Sequence, residues 1–174
     1  LAARAALCRG GDESVDQIAR RFEAVIDLNP LDTRQMRNLG SILLPRWNGS
    51  YAALELQARR TGARLSEIWG AGGYTWVMLD AISVDSEACA ALDVEYFLEG
   101  LRDILALRPD QFTVNLLAAY AAVTMSGETG QGAADLNRAR IRDARGWIVC
   151  DYMTELHPLI WAHATRGFDN TVRI

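Results

Sequence analysis

The chain has 174 residues, of which 50% are apolar and 23% charged, with a formal net charge of -4. That is enough apolar material for a single domain with its own core, and it excludes a disordered chain and a small disulfide scaffold. The charge balance argues against a general binder of nucleic acid or of anionic membrane.

Cys8, Cys89 and Cys150 are odd in number, widely scattered and in no C-x-x-C spacing, which points to a reducing compartment with free, mostly buried thiols. No apolar run is long enough for a transmembrane segment and no signal-peptide pattern opens the chain, so a cytoplasmic location is expected. Because the first residue is Leu1, a removed N-terminal signal or anchor stays compatible with that expectation.

In chain order, "LAARAALC" reads as a short helix or the end of one, closed by Gly10 and Gly11. Ser14 with Gln17 three residues later is a capping box, and Val15, Ile18, Ala19, Phe22, Val25 and Ile26 recur at helical spacing as far as Leu28. Asn29 and Pro30 close that helix. A second is predicted over 32–44, where Pro45 imposes a stop or kink. Ser50 caps a third as far as Arg60, with Ala53, Leu54 and Ala58 inward and Gly62 as its end.

Residues 65–69 make one short turn, 74–82 the next helix, and Asp85 or Ser86 caps a long helix to Leu107. Pro109 and Asp110 open another that ends near Met125, and Gly127, Gly130 and Gly132 mark a loop. Helix then covers 133–145, and a last helical region over 147–166 is interrupted at Pro158. The best strand candidate, "WVMLDAISV" (76–84), suits a buried helix at least as well. The predicted class is all-α: irregular antiparallel helix pairs in a single domain over 1–174, with a core over 15–123 and C-terminal helices over 133–174.

Ile18, Phe22 and Pro30 stand at the A-x3-F and closing-proline spacing of a tetratricopeptide repeat. Met36, Leu39-Gly40 and Leu43 then fit W-x2-L-G-x2-Y with smaller apolar residues in both aromatic places. In that reading Gly40 lets the paired helix approach, Leu39 and Leu43 fill the groove, and Pro30 separates the two helices. A second pass runs through Phe97, Leu101 and Pro109, then Ala118-Ala119 and Ala122, which makes "DLNP" and "ALRP" analogous turns 79 residues apart. That separation is no multiple of the period of about 34 residues, so the helices between are not regular copies.

On these residues the span 15–123 resembles tetratricopeptide-like helical proteins. Within it, "LGSILLPRWNGSYAALELQAR" is similar to a bacterial family of uncharacterised domains with a proline, a basic residue, a tryptophan, small residues and a serine between two helices. Here these are Pro45, Arg46, Trp47, Gly49 and Ser50, with Asn48 where glycine is expected. Asparagine also tolerates positive φ, so the departure is mild. The resemblance implies a short right-handed array of stacked helix pairs and a scaffold role. It brings no catalytic residue, and the chain from Gly127 onward lies outside it.

The corner admits two readings. In one, Pro45 ends a helix, Trp47 folds back as an apolar lid, Gly49 turns and Ser50 caps the next helix. In the other, Arg46 and Trp47 face outward to a partner. The first is preferred because every residue has a local task. Asn48-Gly49-Ser50 is formally a glycosylation acceptor, set aside by the thiol pattern. Trp47, Tyr51, Trp69, Tyr74 and Trp76 are either a concave aromatic groove or core filling, and core filling is preferred.

Gly70-Ala71-Gly72-Gly73 could form an anion-binding nest before Tyr74, but it matches no phosphate-binding glycine pattern, and a plain turn is expected. Glu95, Glu99 and Asp103 form an acidic stripe read as a solvated face, and Arg138, Arg142 and Arg145 a basic one, with Arg140 on another face. That basic stripe could grip an acidic helix of the same or another molecule, or a phosphate backbone, the net charge of -4 making the nucleic-acid version the least expected. His157 and His163, with Cys150, Asp151 and Glu155 nearby, match no familiar zinc spacing, and Cys150 is expected to be buried. No metal, cofactor or catalytic nucleophile is predicted.

The expected function is therefore a non-catalytic scaffold for a protein or peptide partner, carried by Arg46, Trp47, Tyr51, Trp69, Tyr74 and Trp76. Phe22, Pro30, Leu39, Gly40, Pro45, Gly49 and Ser50 hold the fold. One alternative is a small-ligand site or enzyme built on the aromatic cluster; another is a purely structural or self-associating domain.

Overall fold

The computed structural model describes residues 14–166; the expected helix at 1–8 lies outside them. The elements are α1 (Val15–Leu28), α2 (Thr33–Ile42), a 3₁₀ turn (Pro45–Trp47), α3 (Tyr51–Arg64), α4 (Ser66–Trp69), α5 (Gly72–Val84), α6 (Ser86–Ala90), α7 (Val94–Leu107), α8 (Gln111–Ala119) running into a π turn (Tyr120–Thr124), α9 (Gly132–Tyr152) and α10 (Pro158–Arg166). The all-α class holds, with no strand among the described residues. None of the described helices is long and apolar enough to cross a membrane.

Local chemistry sets the boundaries. The Ser14 hydroxyl accepts from Gln17 N–H while the Gln17 side chain accepts from Ser14 N–H, the reciprocal capping box expected for α1. Asp32, Ser50, Asp85, Asp93 and Asp110 cap α2, α3, α6, α7 and α8 with a side-chain oxygen on a first-turn N–H. The two turns read as analogous in the sequence are alike in backbone. α1 ends at Asn29 with φ -148°, ψ 82°, and α7 ends at Arg108 with φ -131°, ψ 74°, each cap N–H bonding the carbonyl four residues back.

Helix α5 is the centre, with α2, α3 and α7 packed against it. Every residue from Gly72 to Leu79, and Ala81 and Ile82 as well, is buried, so the helix has no solvent stripe. Its one charged residue, Asp80, receives the Arg37 guanidinium of α2 through Nε at 3.0 and 3.1 Å and Nη2 at 2.8 Å. Small residues permit the close packing. A Cβ on Gly40 would lie 1.8 Å from the Val77 carbonyl oxygen, and one on Gly100 of α7 would lie 2.1 Å from Thr75 Oγ1. Gly40 therefore serves the contact between α2 and α5, not the pairing of α2 with α1 for which the repeat pattern cast it.

Three boundaries differ from the sequence expectation. Gly62 does not end α3, which continues to Arg64; a β-carbon on it would lie 3.1 Å from the Tyr96 hydroxyl and 3.3 Å from Tyr74 Cβ, so it admits α5 and α7. The long helix expected over 85–107 is two, because Ala91, Leu92 and Asp93 turn the chain and Asp93 starts a fresh cap. Gly146 does not interrupt α9, which runs unbroken to Tyr152; the break comes at 153–157, ahead of Pro158. A single glycine costs a helix about 1 kcal/mol, too little to break one that is packed along its length.

Candidate functional site

The corner keeps its local roles except at the tryptophan. Pro45 is the first residue of the 3₁₀ turn, Asn48 takes positive φ at 67°, and the Ser50 hydroxyl accepts from Ala53 N–H at 3.1 Å. A Cβ on Gly49 would sit 1.9 Å from the Leu43 carbonyl oxygen, which is why glycine stands there. Trp47 is no lid: it is 45% exposed, and Arg46 is exposed beside it. The 3₁₀ turn carries it outward, while Leu43 and Leu44 close the apolar gap between the helices.

The aromatic cluster is core. Trp69, Tyr74 and Trp76 are 1%, 0% and 2% exposed, so their assignment as partner-binding residues is corrected. Trp69 and Trp76 meet edge to face with centroids 6.0 Å apart, and Trp69 Nε1 donates to the Pro30 carbonyl at 2.8 Å. The Tyr74 hydroxyl donates to Glu55 Oε2 and accepts from Asp93 N–H, and burial pushes its pKa well above the ordinary phenol value. Tyr51 is half-buried; burial and the Asp85 carboxylate, which its hydroxyl faces at 3.1 Å, push its pKa up to about 12.

The glycine-rich turn does receive an anion, supplied by the chain itself. Gly70 has φ 55°, and Ala71 N–H donates to Asp103 Oδ2 at 2.7 Å, so Asp103 occupies the start of α5 and leaves the solvated acidic stripe. Several other charged side chains also find partners. Glu95 pairs with Arg140, and Arg102 lies over the Trp147 ring at 5.2 Å. Arg138 is buried and donates through Nη2 to the carbonyls of Thr124 and Ser126, both at 2.8 Å.

Cys150 is exposed, contrary to expectation, because α9 turns that face to solvent. Cys89 is buried, and burial lifts its thiol pKa to about 11. His157 stands 3.9 Å from Glu155, and among the described residues no three His, Cys, Asp or Glu side chains gather to hold a metal ion.

One surface remains that the sequence reading passed over. On α8, Gln111 and Asn115 stand one turn apart in an otherwise apolar stretch, "QFTVNLLAA". Gln111 Oε1 accepts from the N–H groups of Thr154 and Glu155 at 2.9 and 3.0 Å, and its amide donates to the Tyr152 carbonyl at 3.0 Å. Asn115, fully buried, donates to the carbonyls of Gln111 and Glu155 and accepts from His157 N–H and Trp161 Nε1–H, at 2.7–3.0 Å. The two amides clamp the 152–157 connection and α10 onto α8 with every side-chain hydrogen-bonding group of Asn115 used.

The clamp fixes a surface with two adjoining grooves. One, of about 290 Å³, is lined by Arg37, Phe112, Leu116, Ala119, Ile160, His163 and Ala164. The other, of about 350 Å³, is lined by Phe112, Leu156, His157, Pro158, Leu159 and Ile160. Phe112, Leu156 and Leu159 are 60%, 63% and 77% exposed on its rim.

Comparison with known proteins finds no matching family model, no matching curated protein and no matching solved structure.

Function is therefore read from this surface alone. Its lining is apolar, with two imidazoles and one guanidinium at the edges, and it brings no nucleophile against a base. Such a lining can bury a partner's apolar side chains.

Proposed function

We propose that the chain is a non-catalytic helical scaffold that binds a partner protein by receiving an amphipathic helix on the α8–α10 surface. The observation that carries this is the set of solvent-exposed apolar side chains, Phe112, Leu156 and Leu159, around two grooves that share Phe112 and Ile160. Exposed apolar side chains gathered around grooves in this way mark an interaction site, unlike apolar residues scattered singly. Anchors spaced one helical turn apart on a partner would fill two adjoining grooves. The clamp by Gln111 and Asn115 holds both walls in place, so little ordering cost is added on binding.

Descent from a tetratricopeptide-like array, a bacterial source and a cytoplasmic location belong to the same proposal. The paired turns at Asn29-Pro30 and Arg108-Pro109 and the thiol pattern support it. Burial of Trp69, Tyr74 and Trp76 weighs against the small-ligand alternative built on those rings.

The test is affinity capture from the source cell with the full chain and with Phe112→Glu, Leu159→Glu and Trp47→Ala. A partner retained by wild type and Trp47→Ala but lost from both glutamate variants is the expected result. Equal capture by all four chains would refute the proposal, and loss only from Trp47→Ala would move the interface to the corner.

A further inference from the structure

The arginine stripe on α9 ends in a depression that the scaffold role does not use. Arg34, Arg37, Arg59, Arg60, Arg64 and Arg140 each pair with a carboxylate. Arg138, Arg142 and Arg145, which share a face of α9 at four- and three-residue steps, pair with none among the described residues. Arg138 and Arg142 are turned instead onto the carbonyls that close the π turn, those of Thr124, Ser126 and Met125.

Beside them lies an open depression of about 370 Å³ lined by Ala122 of the π turn and by Arg142, Asp143, Arg145 and Gly146 of α9. Two guanidinium groups against one carboxylate leave it net positive on a chain whose total charge is -4. One helical turn before Arg142, Arg138 adds a third positive charge, and its Nε–H and the Thr124 hydroxyl are buried without a hydrogen-bond partner.

Gly146 is the second observation. The glycines inside α2, α3, α5 and α7 lie where a β-carbon would press on a neighbouring helix, whereas one on Gly146 would meet nothing within 4 Å. A glycine within a helix is destabilising, and internal packing does not account for this one. It lines the depression beside Arg142 and Arg145, so a long side chain there would project into that space. The neighbouring wall is a π turn, a backbone form found often at functional sites.

We propose that this depression binds the phosphate group of a small phosphorylated molecule, with Arg142 and Arg145 as its charged donors. Guanidinium forks match phosphate oxygens in geometry as well as in charge. One phosphate fits the volume, and Asp143 at its edge disfavours a nucleic-acid backbone, which needs a continuous positive track.

The test is calorimetric titration of the full chain with inorganic phosphate, and separately with glycerol 2-phosphate, against chloride of equal ionic strength. Wild type should bind at least one of the two phosphates saturably, and the tighter of them distinguishes free phosphate from a phosphomonoester. Arg145→Gln should weaken binding by about tenfold, the loss of one charge-assisted contact. Gly146→Leu, which puts a bulky side chain on an open helix position lining the depression, should hold or raise the melting temperature in the absence of phosphate and yet weaken binding sharply, which separates a filled site from a damaged fold. Absence of saturable binding by wild type, or binding unchanged in either variant, would overturn the proposal.

Discussion

Gly40 and Val77 stand closer than any side chain on residue 40 would allow: its β-carbon would fall 1.8 Å from the Val77 carbonyl oxygen. The obstacle is helix backbone, which cannot rotate away, so α2 must move off α5 to make room. Gly40→Ala is expected to cost about 3 kcal/mol, at the upper end for overpacking a core. Urea denaturation should show a lowered midpoint with an unchanged slope.

Asp103 closes the start of α5 by accepting from Ala71 N–H. Removing that carboxylate leaves an N-terminal donor without its partner, a loss like that of a helix cap. Asp103→Ala should destabilise by about 1 kcal/mol, measured in the same denaturation series.

Two tryptophans give opposite expectations. Trp69 is buried against Trp76, and Trp69→Ala should cost about 3–5 kcal/mol. Trp47 is 45% exposed on the 3₁₀ turn, and Trp47→Ala should stay within about 0.5 kcal/mol of wild type. Thermal melts of both variants beside wild type check the pair.

Asp93 sets an acid-side dependence. The Arg59 guanidinium, at 2.8 Å, and the Tyr96 N–H hold its carboxyl below the ordinary value. A carboxyl lowered in this way adds stability above its unfolded pKa of about 3.9, and that contribution is lost as pH falls through the folded value. Asp93→Asn should therefore be less stable than wild type at neutral pH, with the gap closing on acidification below about pH 4. A gap of constant size from neutral pH to below that point would show that the charge of Asp93 contributes nothing.

Much of the fold was legible because capping is local chemistry. Ser14 with Gln17, Asp32, Ser50, Asp85 and Asp110 each announce a helix start in the sequence and each provide one. The exposure of Trp47 was not legible, because three residues of 3₁₀ turn decide its direction, and Leu43 and Leu44 fill the space it was expected to fill. Glycines were ambiguous for a physical reason: the residue that ends a helix is also the one that admits a neighbour. Gly62 meets Tyr74 and Tyr96 and Gly146 lines a depression with Ala122, and both facts depend on distant parts of the chain. Phe112 offered only a weak signal, an aromatic beside the Gln111–Asn115 pair. The partners that make that pair a clamp lie about forty residues onward, from Tyr152 to Trp161.

The burial of α5 on every side has a consequence during synthesis. When the ribosome has released the chain only as far as Val84, α1 to α3 can cover part of that helix, but the face belonging to α7 is bare. Until Leu107 emerges, the nascent protein carries a sticky, nearly uncharged cylinder that will adhere to any similar surface. Chains cut between these two points should collect in the pellet after lysis, and chains extended past α7 should begin to stay in the supernatant.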